Sequence, residues 1–195
     1  ATDIIRQLLV FSRHESMQLK PLNLNSILKD TLKMLERIIG EPYDLTTTFD
    51  ENIWTVNADA VHIEQVIMNL MINARDSMPG GGRISVKTGN MSIDSDFVAA
   101  HPVSRPGEFV HLSVSDTGAG IDPESLPRIF EPFYSTKGIA KGGGLGLSVV
   151  YGIITDHKGW ILVDSTPGVG TTFDFFLPVV PLVKTIDEAA NRSRA

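Results

Sequence analysis

The stretch "DAVHIEQVIMNLMINARDSM", residues 59–78, constrains this chain more than any other. Ile63, Val66, Ile67, Leu70 and Ala74 recur at helical spacing, and Met68 and Ile72 carry apolar character over most of the remaining circumference. The pattern predicts a largely buried helix, capped at its start by Asp59 and stopped at "MPGGG". Yet Gln65, Asn69, Asn73 and Asp76 run down it at i, i+4, i+8 and i+11. Polar side chains taken into an interior need partners. Two arrangements provide them. One is an internal hydrogen-bond network. The other is a cavity in which carboxamide and carboxylate oxygens hold a hard cation such as Mg²⁺, which commonly bridges to phosphate.

Two glycine-rich stretches bear on that choice. In "SDTGAGIDPES", Asp116 ends an apolar strand containing Phe109, Val110, Leu112 and Val114. A carboxylate there can accept from an exocyclic amine such as that of adenine, and Gly118 and Gly120 remove side chains where a flat base would approach the backbone. Alone, D-x-G-x-G is a common turn. In "KGGGLGLSV", Gly142, Gly143, Gly144 and Gly146 lead directly into a helix, which presents free N–H groups and a helix N-terminus together to phosphate oxygens. Three such signals in one chain point to one nucleotide pocket.

The remaining chain reads as follows. Residues 1–20 carry an amphipathic helical pattern that ends near "LKPLN", because Pro21 disfavours helix at the residue before it. "NLNSILKDTLKMLERIIGEP" predicts a helix with Asn25 or Ser26 as N-cap and a Gly-Glu-Pro stop. Strands are expected at "DLTTTFD", "IWTVNA", "GRISVKTGNMSI", "EFVHLSVSD", "WILVDST" and "GTTFDFFLPVV", with a polar, proline-containing excursion over about residues 94–107 and a helix at "GLSVVYGIITDHKG". The expectation is a two-layer α/β sandwich, one mixed and mostly antiparallel sheet covered on one face by three helices, with a further N-terminal helix. From residue 181 a polar segment reads as tail or linker.

Composition removes other classes. A net charge of −6 gives no global basic field for nucleic acid or anionic lipid, so any polyanion must be held by a local site. The absence of cysteine excludes disulfides and thiolate metal sites. No stretch approaches the roughly 18 to 20 apolar residues needed to cross a bilayer. The expected location is the cytoplasm.

Together these motifs resemble the ATP-binding catalytic domain of two-component sensor histidine kinases, of the nitrogen-regulator and hybrid type, in the superfamily with the Bergerat fold that also holds type II topoisomerases and heat-shock chaperone ATPases. "EQVIMNLMINARDSM" is similar to that family's N box, "DTGAGI" to its first glycine box, "IFEPFYSTK" to its phenylalanine box and "GGGLGL" to its second glycine box. "RQLLVFSR" resembles the end of the second helix of the dimerisation hairpin that precedes such domains. The implied boundaries are 1–22 for that helix, 23–180 for the catalytic domain and 181–195 for the tail.

What the resemblance implies is residue-specific. Asn73 would ligate Mg²⁺ and Asn69 would line the phosphates of ATP, with Asp76 beside them. Asp116 would take the adenine amine, and Gly118, Gly120 and Ile121 would shape the base site. Phe130, Phe133 and Tyr134 would anchor one end of a mobile lid spanning residues 134–146. Lys137, with Lys141 as a weaker candidate, would reach the phosphates. Gly142, Gly143, Gly144, Leu145, Gly146 and Leu147 would form the phosphate-facing loop and helix start, and Thr171 or Thr172 the pocket floor, with Thr172 preferred. The topoisomerase-like relatives hydrolyse ATP with a glutamate four residues before the metal-binding asparagine. Here that position is Asn69, a carboxamide that cannot take a proton from water, so the γ-phosphoryl is expected to be kept for another acceptor. Glu64, about 140° around the helix from Asn69, is the alternative base. The implied partners are a histidine-bearing dimerisation domain and a response-regulator receiver domain. His14, in "RHESMQLKPL", is expected not to be the phospho-acceptor, since too few residues separate it from the next helix. A nucleotide-sensing module, or an ATPase without phosphotransfer, stays open as the alternative.

Overall fold

In a computed structural model, residues 17–135 and 144–180 are described. The expectations for the N-terminal helix with His14, for Lys137, Lys141, Gly142 and Gly143, and for the tail fall outside them.

The chain runs β1 (Lys20–Asn23), α1 (Leu24–Ile39), β2 (Tyr43–Phe49), β3 (Thr55–Ala58), α2 (Ala60–Ser77), β4 (Gly82–Ile93), α3 (Ser95–Ala100), β5 (Gly107–Asp116), a 3-10 turn (Leu126–Arg128), α4 (Gly146–Asp156), β6 (Trp160–Thr166) and β7 (Gly170–Pro178). Five strands form one sheet in the order β2-β4-β5-β7-β6. Only β2 and β4 are parallel; the other pairs are antiparallel. The three long helices α1, α2 and α4 bury their apolar stripes on one face, giving a core that includes Leu28, Ile67, Leu70, Ile84, Leu112, Ile154 and Phe175. This is the two-layer sandwich the pattern predicts.

Three local differences have physical causes. The α1 cap is Asn23, whose side chain accepts from the Asn25 N–H at 2.9 Å. Asn25 is instead buried, its amide donating to the Asp50 carbonyl at 2.7 Å and its oxygen accepting from the Thr88 hydroxyl at 2.7 Å. Second, Thr55–Ala58 does not join the main sheet. It pairs antiparallel with Lys20–Asn23 in a separate ribbon, while Ile53 and Trp54 lie outside the strand. Third, the excursion after β4 contains α3, capped by Asp94. It covers part of the second sheet face, where Ile93, Phe109, Trp160 and Phe176 form a smaller cluster beside Phe97 and Val98. Arg105 closes that cluster, lying 5.5 Å from the Phe109 ring and 5.3 Å from the Trp160 ring while donating to the Lys158 carbonyl.

α2 is buried less completely than its composition predicts. Met68 and Ile72 are each 39% exposed, because α1 and α4 flank the helix and the sheet lies beneath it, leaving its outer face open. Gln65, Asn69, Asn73 and Asp76 are half-buried along one edge. Among the described residues no helix is long and apolar enough to cross a membrane.

Candidate functional site

The polar edge of α2 opens into a cavity of about 150 Å³ between α2, the end of β5, the loop after it and the start of α4. Asn73, Asp76, Asp116, Gly120, Ile121, Tyr134, Gly144, Gly146 and Leu147 line it, so nine of the residues singled out from the sequence converge on one space.

Asp116 is half-buried at the mouth of β5. Its Oδ1 accepts from the Gly118 N–H at 2.8 Å. The Ser77 hydroxyl, whose single proton goes chiefly to the Ala74 carbonyl at 2.7 Å, lies 3.3 Å from the same oxygen, so the loop amide and the helix end together position the carboxylate. Ala119 N–H donates to the Ser77 carbonyl and Gly168 N–H to the Ala119 carbonyl, sewing the first glycine loop between α2 and the β6–β7 turn. The two glycines of this loop are also required by packing. A Cβ on Gly118 would stand 2.0 Å from Ser77 Oγ, and one on Gly120, where φ is +69°, would stand 2.2 Å from the Thr166 carbonyl oxygen.

Gly146 differs. It opens α4, and an added Cβ would meet nothing nearer than Asn73 Nδ2 at 3.7 Å and Asn69 Oδ1 at 3.8 Å. Among the described residues, a gap is left between a helix N-terminus and two carboxamides, and Asn73 Nδ2 is buried without a hydrogen-bond partner. Asp76 Oδ1 is held by the Arg75 guanidinium at 2.9 Å. Among the described residues the cavity wall carries two carboxylates and no cationic side chain. Oxygen donors facing a helix N-terminus are a donor set that a hard divalent ion and a polyphosphate could share.

Tyr134 is fixed where the chain leaves the cavity wall. Its hydroxyl donates to Ser125 Oγ at 3.0 Å, and the Arg128 guanidinium lies 4.4 Å from its ring centre. Phe130 packs against Tyr151 with ring centres 5.2 Å apart, behind the cavity wall. Phe133 is not an aromatic anchor: its side chain is 67% exposed and its φ is +65°. Its backbone does the anchoring, through N–H to the Gly144 carbonyl at 2.9 Å.

Other expected residues stand apart. Strand alternation sends Thr171, with Phe173, to the cavity, and turns Thr172 to the opposite face, where its hydroxyl lies 2.7 Å from Ser115 Oγ. Thr171, not Thr172, is therefore the floor residue. Leu145 is buried beneath the start of α4 and Gly118 lies behind Asp116. Glu64 is exposed and outside the cavity wall. Ser77, Ile129, Ser135 and Phe173 line the cavity without having been singled out. Ser77 sits one turn beyond Asn73 on the same helix edge, the signal that could have found it.

Away from the cavity, two carboxylates are held below their ordinary range. Burial alone would raise Asp59, but the backbone N–H groups of Gln18, His62 and Val61, with the charge of His62, outweigh it. Burial would likewise raise Asp174, but hydrogen bonds from His111, at 2.7 Å, and from Ser113 outweigh it.

A two-layer sandwich whose central helix, strand end and glycine-led helix converge on one polar cavity defines a nucleotide-binding ATPase fold. Residues 58–181 match the family described as histidine kinase-, DNA gyrase B-, and HSP90-like ATPase, and the chain belongs to it. The chain is 43% identical over 190 residues to the sensor kinase CckA of Brucella abortus, covering 97% of this chain and 20% of that protein. It is 34% identical over 179 residues to the signal transduction histidine-protein kinase AtoS of Escherichia coli, covering 91% of this chain and 27% of that protein. It thus spans about a fifth to a quarter of the length of these relatives. Among solved structures, the histidine kinase ThkA in complex with response regulator protein TrrA superposes with a TM-score of 0.67 at 26% identity, over 92% of this chain and 47% of that one. Full-length ShkA in complex with AMPPNP has the same fold, with a TM-score of 0.70 at 23% identity over 92% of this chain and 35% of that one.

Proposed function

We propose that this chain binds Mg-ATP in the α2–α4 cavity and transfers the γ-phosphoryl group to a histidine on a dimerisation hairpin, for relay to an aspartate of a response-regulator receiver domain, in the cytoplasm. The observation that carries the reading is the convergence on one cavity of an anchored carboxylate, Asp116, the half-buried carboxamide of Asn73, whose nitrogen has no partner among the described residues, and a helix N-terminus opened by Gly146.

In this reading Asp116 accepts from the adenine amine, its orientation fixed by Ser77 and the Gly118 N–H. Gly120 and Ile121 flank the base, and Thr171 closes the floor. The amide groups at the start of α4 take phosphate oxygens, with Asn69 alongside. Asn73 and Asp76 fit a Mg²⁺ ion, which when bound would neutralise phosphate charge. Lys137 is assigned to the phosphates by its motif. Asn69 stands where a hydrolysing relative has a carboxylate base, so water is not activated and the phosphoryl group is kept for the histidine. Complex formation between ThkA and the response regulator TrrA supports the receiver-domain partner.

Labelled ATP, Mg²⁺ and a separately supplied histidine hairpin test the proposal. Acid-labile label should appear on the hairpin and not on this chain alone. Release of inorganic phosphate at the same rate with or without the hairpin would assign the chain to hydrolysis instead.

A further inference from the structure

The two helices that frame the cavity are tied together at their far end by a histidine that the phosphotransfer reading does not use. At one end of the pair, Gly146 of α4 faces Asn69 and Asn73 of α2. At the other, His157, just past the last residue of α4, meets Asp59, the N-cap of α2, so the helices run antiparallel. His157 is only 3% exposed. Its Nδ1 lies 2.7 Å from the Ile153 carbonyl oxygen, and its Nε2 lies 3.0 Å from the Asp59 backbone nitrogen. A carbonyl can only accept and a backbone N–H can only donate. The ring is therefore the neutral tautomer with its proton on Nδ1, and both nitrogens are satisfied.

Other contacts between the helices are of a different kind. Val150, Ile153 and Ile154 of α4 pack as apolar side chains, and such contacts resist separation more than sliding. The Asp59 N–H to His157 bond is directional. It also belongs to a fuller joint, because the Asp59 carboxylate accepts from the N–H groups of Val61, His62 and Gln18. A helix transmits displacement along its axis: the eleven residues of α4 span about 16 Å at 1.5 Å per residue. A slip at His157 arrives almost undiminished at Gly146.

We propose that His157 is a positioning residue, which sets the lengthwise register of α4 against α2 and thereby the width of the phosphate gap between Gly146 and the Asn69 and Asn73 carboxamides. The inference rests on the nucleotide reading above. It carries a proton dependence, because a proton on Nε2 removes the acceptor for the Asp59 N–H. The groups facing the ring are His62, whose ring centre is 6.2 Å away, Asp59, and Asp156 on its own helix. Burial, aided by His62, holds His157 below its ordinary 6.5 against the opposing effects of the Ile153 bond and the two carboxylates.

The test compares the wild-type chain with His157→Gln and His157→Leu. A glutamine oxygen reaches the position of Nε2 and accepts without titrating; leucine fills the space with no acceptor. Calorimetry would measure the affinities for adenosine and for a magnesium complex of an unhydrolysable ATP analogue, from above to below pH 6.5. Circular dichroism would follow folding. The leucine variant should lose on the order of tenfold in analogue affinity, the effect of one unmade buried hydrogen bond, with adenosine affinity unchanged. The glutamine variant should bind both ligands like wild type above pH 6.5, and on acidification should lose less analogue affinity than wild type does. Equal losses for adenosine and analogue in the leucine variant would reduce His157 to a general support of the fold and overturn the proposal. So would identical acid dependence in wild type and the glutamine variant. Wild type that binds adenosine and analogue alike would overturn the phosphate-gap reading itself, and wild type that binds neither would overturn the nucleotide reading and this inference with it.

Discussion

Replacing Gly146 by alanine should make the empty domain more stable and the loaded one worse. Gly146 is the first residue of α4 and its φ is not in the left-handed region, so alanine can adopt its backbone conformation without strain. The new Cβ would lie 3.7 Å from Asn73 Nδ2 and 3.8 Å from Asn69 Oδ1, ordinary contact distances that push nothing aside. Under those conditions glycine-to-alanine substitution gains about 0.4–1 kcal/mol, chiefly by restricting the unfolded chain. At roughly 2–4 °C per kcal/mol for a domain of this size, melting should rise by about 1–4 °C. In the proposed reading the same methyl occupies the gap that phosphate oxygens enter. Forcing a ligand into space already taken costs about 1–3 kcal/mol, or roughly five- to 150-fold in affinity for Mg-ATP. Adenosine should bind as before, since Asp116 lies at the other end of the cavity. Thermal unfolding without ligand and calorimetry with both ligands give the two readouts. An alanine variant that melts lower than wild type, or that binds Mg-ATP equally well, would refute the claim that the gap is kept open for a ligand.

Gly120→Ala should behave in the opposite way: a Cβ 2.2 Å from the Thr166 carbonyl oxygen, at a φ of +69°, meets backbone that cannot swing aside. Urea midpoints should show a loss of about 2–4 kcal/mol from left-handed strain plus overpacking, and a wild-type midpoint would contradict the geometry. Asp116→Ala should lower affinity for ATP by about tenfold or more, and should bring discrimination between adenine and guanine nucleotides close to nil, since the acceptor for the exocyclic amine is gone; retained adenine preference would move base recognition elsewhere. Stability should be level above pH 6.5, should fall below it because the unfolded chain protonates its histidine before folded His157 does, and should fall again below 3.8 as the unfolded chain protonates Asp59 and Asp174 first. Denaturant midpoints that rise on acidification from neutrality would show that the buried imidazole is not held neutral.

The long elements were legible because their signals are periodic and local. α2 is capped by Asp59 as its sequence says, and β5 ends at Asp116. What escaped depends on pairing across the chain. Lys20–Asn23 has a proline and no alternation, and becomes a strand because Thr55–Ala58 lies beside it, touching the main sheet only through a single bridge from Val56 to Val179. α3 has six residues, too few for a helical period to show, and is held by the Asp94 cap and by Phe97 against Phe176. Asn25 has the chemistry of a cap, but Asp50 and Thr88, distant in sequence, supply interior partners that outweigh that local preference.

In the site, motif and geometry answer different questions. The motifs gave Gly118 and Gly120 to the approach of a base and Gly146 to the phosphate-facing start of a helix. The structure separates them: at Gly118 and Gly120 the obstruction is the protein itself, while at Gly146 the space is vacant and bounded by two carboxamides. A glycine required by packing is silent about function, because any sequence with this turn would need it. A glycine beside vacant space needs a reason from outside the chain. The same logic separates the polar residues of α2. Asp76 is already held by Arg75, whereas Asn73 has a buried nitrogen with no partner. An unpaired buried amide costs about 1–3 kcal/mol, so a group that enters the cavity and accepts from Nδ2 gains by about that much. In the proposed reading, binding energy is concentrated at the phosphate end, while the adenine end is organised by the Gly118 N–H with Ser77 beside it. Under that reading the base fixes where the nucleotide sits, and the phosphates engage the start of α4 and the Asn73 amide, which suits a domain that holds ATP for transfer and not for hydrolysis.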